Sequence, residues 1–143
     1  MSSTRYLLDI NVLIALVDRD HIHHSVVLQW WSTPGIDWGL CAFTEAGFLR
    51  IVTNPKAGSR SIDGAMTILA DLATRPGYRY WSVTEEWSVL TAPFRDRIVG
   101  HQQITDAFLL GLAIKEDGVL VTMDKAVRSM AGVGLSRHVH VLS

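Results

Sequence analysis

The chain predicts an α/β fold, a central and mostly parallel β-sheet flanked by helices, and three observations carry that expectation. Short apolar runs alternate along the chain with longer segments whose apolar residues recur at helical spacing, the pattern of strands joined by helical crossovers. Gly and Pro are scattered between these periodic segments rather than pooled, and there is no internal repeat, low-complexity tract or linker. Four acidic residues, Asp9, Glu45, Asp106 and Asp124, each sit where an apolar segment starts or stops. In a parallel α/β sheet those places fall on one edge, because helix N-termini lie at the carboxyl ends of the strands.

Taken in order, residues 6–8 read as a strand and 10–17 as a helix. Residues 21–31 read as a second helix, with Val27, Trp30 and Trp31 at helical spacing. Pro34 and Gly35 mark a loop, 36–41 a strand, and 44–52 a helix that Asn54 and Pro55 stop, since the residue before a proline is pushed out of helical conformation. Residues 62–73 predict a helix with Met66, Leu69, Ala70 and Ala73 on one stripe, followed by a strand over 78–83. Thr84 is a candidate N-cap for a helix over 85–90, and 104–116 form a strongly apolar helix after which Gly118 permits a left-handed turn. A strand over 118–121, a helix over 125–130 and a last strand over 139–142 complete the alternation.

With 143 residues, 48% of them hydrophobic, the chain can bury a continuous core as one domain spanning 1–143. The lone Cys41 excludes an internal disulfide framework, suits a reducing compartment, and reads as core. No basic stretch precedes a cleavable apolar one, and no apolar run approaches the roughly 20 residues that span a bilayer, so a cytoplasmic protein with no membrane association is expected. A net charge of −1, from 13 basic and 14 acidic residues, excludes a global positive field as the source of any nucleic-acid affinity. Ten of the 13 basic residues are Arg, whose planar fork matches phosphate oxygens, although solvated surface arginines give the same bias.

Each acid alone could be a helix cap, since Asp at a helix start satisfies orphan N–H groups and suits the helix dipole. Glu45, however, shares a helical face with Phe48, Leu49 and Val52, and Asp106 shares one with Leu109, Leu110 and Ala113. Carboxylates gathered on one edge repel one another and are partly desolvated, which raises their pKa values unless a cation neutralises them. Hard oxygen ligands select Mg²⁺, with Mn²⁺ as an alternative, over zinc. Such ions serve phosphate chemistry: they activate a water nucleophile and stabilise the departing oxygen of a phosphodiester.

The strings Leu8-Asp9-Ile10-Asn11-Val12-Leu13, Thr44-Glu45-Ala46, Thr105-Asp106-Ala107 and Val121-Thr122-Met123-Asp124, in that order and spacing, resemble the PIN-domain family, specifically VapC-type toxins. The resemblance covers nearly the whole chain. It implies a PIN-like fold and a Mg²⁺-dependent endoribonuclease, dimeric, held inactive by a small VapB-like antitoxin, with structured RNA such as transfer RNA or ribosomal RNA as substrate. Position by position, it assigns the core acids to Asp9, Glu45 and Asp106 and a fourth, more variable one to Asp124, all four as metal ligands and catalytic residues. It gives supporting or substrate-contact roles to Asn11, Arg50, Thr105 and Thr122. Ile10 departs from the family pattern, which often has a hydroxyl residue there.

Lesser candidates have plainer explanations beside them. Asn54 reads as a helix stop, and His101, Gln102 and Gln103 as polar loop residues near Asp106. Asp18, Asp20, His21, His23 and His24 form a polar cluster whose spacing matches no structural zinc pattern. Trp30, Trp31, Trp38, Trp81 and Trp87 could stack on bases but are interleaved with aliphatic residues, as core or interface side chains are. Of the rival functions, a haloacid-type phosphatase wants a second Asp two residues after the first, where Asn11 stands here. A noncatalytic PIN-like partner-binding module, and a PIN ribonuclease of RNA processing without an antitoxin, remain as alternatives.

Overall fold

In the computed structural model, residues 3–58 and 60–143 are described; residues 1, 2 and 59 of the expected 1–143 domain lie outside them. Four strands, β1 (Arg5–Leu8), β2 (Asp37–Gly39), β3 (Val119–Thr122) and β4 (Val139–Val141), form one sheet in the order β2-β1-β3-β4. Every pairing is parallel, with Leu7 opposite Gly39 on one side and Leu120 on the other. The crossovers are helices α1 (Ile10–Val17), α2 (His24–Trp31), α3 (Ala42–Val52), α4 (Ile62–Leu72), α5 (Trp87–Thr91), α6 (Ile104–Lys115) and α7 (Lys125–Ala131), with tight 3₁₀ turns at Ala92–Arg97, His101–Gln103 and Val133–His138. No helix of the described residues is long and apolar enough to cross a membrane.

Successive strand residues point to opposite faces, so the sheet divides the core into two layers. Leu8 and Val121 pack with Val12, Leu13, Leu16, Val27, Phe48 and Leu69 from α1 to α4. Leu7 and Leu120 pack with Phe94, Leu109, Leu110, Val127 and Met130 on the face covered by α6 and α7. Both layers have fully buried side chains at their centres, and both strands that separate them, β1 and β3, finish at the same edge.

Several local expectations are corrected. Residues 78–83 do not form a continuous strand: Tyr78 and Trp81 make isolated parallel bridges to Trp38 and Cys41. This run lies at the edge beyond β2, after a turn at Gly77 (φ 83°), and meets that neighbour through the Arg79 and Trp81 amides, which bond the Trp38 and Leu40 carbonyls. The second helix starts at His24 rather than 21, because Asp18 Oδ1 accepts from Asp20 N–H and His21 Nδ1 from His23 N–H, side-chain bonds that hold a turn. On α4 the buried stripe is Ala65, Leu69 and Leu72, leaving Met66 49% exposed and Ala70 and Ala73 on the outside, so the helix is rotated from the expected stripe.

Helix α5 begins at Trp87 behind Glu86, not after Thr84, whose N–H and hydroxyl are held by the Glu85 carboxylate. The left-handed residue after α6 is Asp117 (φ 53°), not Gly118. Gly118 is needed for space instead: a Cβ there would lie 2.5 Å from Trp81 Cη2 and 2.8 Å from the Arg5 carbonyl oxygen.

Candidate active site

Asp9 follows β1 directly and caps α1: its backbone is extended (φ −77°, ψ 171°) and its Oδ1 accepts from Val12 N–H at 2.8 Å. The capping explanation is therefore true of Asp9, but incomplete. The residue is only 4% exposed, and its carboxyl is pushed up to about 7. Burial is the main cause; hydrogen bonds from Thr122 and Val12 pull the other way, and the charges of Asp106 and Asp124 add to the rise. A cap needs neither that burial nor those neighbours.

Thr122, the buried last residue of β3, joins two of the acids. Its hydroxyl lowers the pKa of the Asp9 carboxyl and accepts from Asp124 N–H at 3.1 Å. Asp124 is exposed and caps α7, taking the Ala126 N–H at 2.9 Å. Asp106, half-buried in the first turn of α6, has its carboxyl raised to about 6, first by burial and then by the charge of Asp124. The three aspartates thus form one electrostatic group on the carboxyl edge of β1 and β3.

Glu45 stands apart from that group electrically. It occupies the first turn of α3, burial raises its carboxyl, and its charge acts on the Tyr78 hydroxyl. The residue before it, Thr44, is completely buried and donates its hydroxyl to the Leu8 carbonyl at 3.1 Å. That bond ties the start of α3 to the end of β1, one residue before Asp9. Sequence reasoning gives Thr44 no role of its own, although a hydroxyl residue on the same apolar helix as Phe48 is a legible signal.

Of the remaining expected positions, Thr105 is half-buried beside Asp106, while Asn11 and Arg50 are exposed on α1 and in the last turn of α3. Ile10 packs against Gly47, whose missing Cβ makes room for it, so its departure from the family pattern serves the contact between α1 and α3. Asn54 accepts from Lys56 N–H in a turn. Trp38 and Trp81 are core residues, and His24 bonds the Ala15 carbonyl at 2.7 Å.

The chain matches the PIN domain over residues 6–133. It belongs to the PIN-domain family. It is 38% identical over 138 residues to ribonuclease VapC44 of Mycobacterium tuberculosis, covering 93% of this chain and 95% of that relative. To ribonuclease VapC39 of the same organism it is 36% identical over 132 residues, covering 90% and 95%. Among solved structures, VapBC-1 from nontypeable Haemophilus influenzae superposes with a TM-score of 0.67 at 14% identity, over 96% of this chain and 97% of that one. FitAB bound to an IR36 DNA fragment gives 0.64 at 18% identity, over 95% and 94%. At those identities the two structures show the shared fold and nothing more.

The donor set suits a hard divalent cation held loosely. Among the described residues, no three His, Cys, Asp or Glu side chains gather closely enough to enclose an ion by themselves. The charges of Asp9, Asp106 and Asp124 are nevertheless felt by one another. Both facts fit Mg²⁺, which dehydrates reluctantly and is ordinarily held by one or two carboxylates with water and phosphate oxygens filling the rest.

Proposed function

We propose that this PIN domain, taken as one unit over 1–143, is a divalent-metal-dependent endoribonuclease and the toxin of a toxin-antitoxin pair. The observation that carries the reading is Asp9: a carboxyl raised to about 7 by burial, with two further carboxylates adding charge beside it, is costly to ionise unless a cation is present. The identity to two VapC ribonucleases over nine-tenths of the chain supports the same activity. The cation is Mg²⁺, or Mn²⁺ in its place, and the substrate is structured RNA of the transfer or ribosomal class. The partner is a VapB-like protein, since the solved neighbours include VapBC complexes. A homodimer working in the cytoplasm completes the proposal.

In this reading Asp9 and Asp106 hold the ion, with Thr122 keeping Asp9 oriented and its anionic form favoured. The bound ion would supply charge against the departing oxygen and lower the pKa of an attacking water. Asp124, whose charge acts on both, joins them as a third ligand, and Glu45, the fourth expected ligand, starts α3, which the Thr44 bond ties to the end of β1. Arg50, exposed at the far end of α3, is a phosphate contact; Asn11 and Thr105 are polar supports on the flanks of Asp9 and Asp106.

The test is cleavage of labelled transfer RNA and ribosomal RNA fragments by the purified chain. Cutting should require Mg²⁺ or Mn²⁺, stop with EDTA, and vanish in folded Asp9→Asn and Asp106→Asn variants. Expression alone should arrest growth, and coexpression of a cognate VapB-like partner should relieve it. Full cleavage by folded Asp9→Asn protein, or no cleavage of any RNA by wild type with metal, would favour the partner-binding alternative.

A further inference from the structure

Arg97 lies at the end of the turn Ala92–Arg97, nine residues before Asp106, and its guanidinium bonds α7. Nε donates to the Met130 carbonyl at 2.8 Å and Nη2 to the Ala131 carbonyl at 2.7 Å. These are two of the last carbonyls of a helix, which have no amide one turn ahead to bond them. A cation at that end also suits the helix dipole. We propose that Arg97 is a positioning residue for the metal centre, gripping the C-terminal end of α7 so that Asp124, at the other end, stays on the carboxyl edge of the sheet.

Helix α7 has only 7 residues, too few to be stable from its own hydrogen bonds, so its position depends on what holds its ends. At the N-terminal end the Asp124 carboxylate bonds, among the described residues, only within its own cap, to Ala126 N–H, and its backbone N–H bonds the Thr122 hydroxyl. The side chain is therefore placed by two elements, the end of β3 behind it and the helix ahead of it. At the C-terminal end the seat is shaped for the guanidinium: Gly132 has φ 77°, and a Cβ on it would lie 2.8 Å from Arg97 Nε and 2.9 Å from Cζ. Arg's planar fork reaches two carbonyls at once, which the single ammonium of Lys does not reproduce. Val127, Met130 and Ala131 bury the inner face of α7, and Phe94 from the Arg97 turn belongs to the same layer, so grip and packing act in one place.

This inference rests on the metal-centre reading of the aspartates, and the experiment separates the two. Mn²⁺ alone is titrated calorimetrically into the full chain as wild type, Arg97→Gln, Arg97→Lys, Asp124→Asn and the Arg97→Gln/Asp124→Asn double variant, with amide exchange followed on α7, α1 and α6. Arg97→Gln should weaken Mn²⁺ binding about tenfold, the lower end of what partners supporting metal ligands contribute. It should speed exchange in α7 while leaving α1 and α6 unchanged, and Arg97→Lys should not restore either property. In the Asp124→Asn background, Arg97→Gln should add no further loss of affinity.

An equal loss in both backgrounds would overturn the inference, since Arg97 would then be acting on the whole fold. Wild-type Mn²⁺ affinity in Arg97→Gln would overturn it too. Wild-type affinity in Asp124→Asn would remove both the metal role of Asp124 and the inference built on it, with α7 exchange still responding to Arg97→Gln to tell the two failures apart. Should Arg97→Gln fail to fold, Arg97→Lys, which keeps the charge and the stem but not the fork, should lower affinity in the same direction, and an unchanged affinity there would count against the inference.

Discussion

Replacing Asp9 by Asn should stabilise the metal-free protein at neutral pH, by an amount that depends on pH. The residue is 4% exposed and its carboxyl raised from 3.8 to about 7, with burial the largest cause. In the unfolded chain the same group ionises near its ordinary value, so from about pH 4 upward the folded state keeps a proton that the unfolded state has lost. Stability therefore falls as pH rises through that window and levels off above about pH 7. A difference of about three units corresponds to roughly 4 kcal/mol, at about 1.4 kcal/mol per unit. Asparagine retains an oxygen for Val12 N–H and carries no charge, so most of that cost disappears.

For a chain of this size about 1 kcal/mol moves Tm by roughly 3 °C, so the variant should melt on the order of 10 °C above wild type at pH 8 and close to it at pH 4. Thermal melts in EDTA at pH 4, 6 and 8 measure this directly. Added Mg²⁺ should narrow the gap at pH 8 by stabilising wild type alone. A difference that does not change with pH, or a wild type more stable than the variant at pH 8, would refute the assignment of a strained, buried carboxylate.

Proton competition should appear in metal binding as well: between about pH 7 and 6 Mn²⁺ affinity should drop about tenfold per unit as Asp9 keeps its proton, and more steeply below about pH 6 as Asp106 joins it, which calorimetry across pH 5 to 8 would read. Thr122→Val removes the hydroxyl that favours ionised Asp9, so Mn²⁺ affinity at pH 7 should fall about tenfold, with Thr122→Ser restoring most of it. Gly118→Ala should destabilise by about 2 kcal/mol, measured by urea unfolding, because the new methyl meets Trp81 and the Arg5 carbonyl. The VapB-like partner should bind the Asp9→Asn/Asp106→Asn double variant more weakly than wild type, if a partner arginine sits among the acids; equal affinity would place recognition on another surface.

What the sequence made legible follows from the range over which each feature is determined. The helix at Ile10–Val17 falls where its own apolar spacing put it, and the parallel order follows from strands that alternate with helices. The convergence of Asp9, Asp106 and Asp124 was legible for the same reason, since in such a sheet anything placed after β1, after β3 or at the start of α6 must arrive at one edge. Features decided by contacts distant in sequence were not legible. Met66 looked like core because helical spacing fixes a stripe only up to rotation, and the neighbours that chose Ala65, Leu69 and Leu72 instead belong to other elements. Gly118 was assigned to a left-handed turn on residue type, when its requirement is the indole of Trp81 pressed against the strand. Arg97 carries no local signal at all: its partners are 33 and 34 residues away, and both are backbone carbonyls, which a sequence cannot single out. Glu45 lies between these cases. Its element and its burial could be foreseen from the apolar face of α3, but its electrostatic separation from the aspartate group, with its charge acting on Tyr78 instead, depends on where the side chain turns.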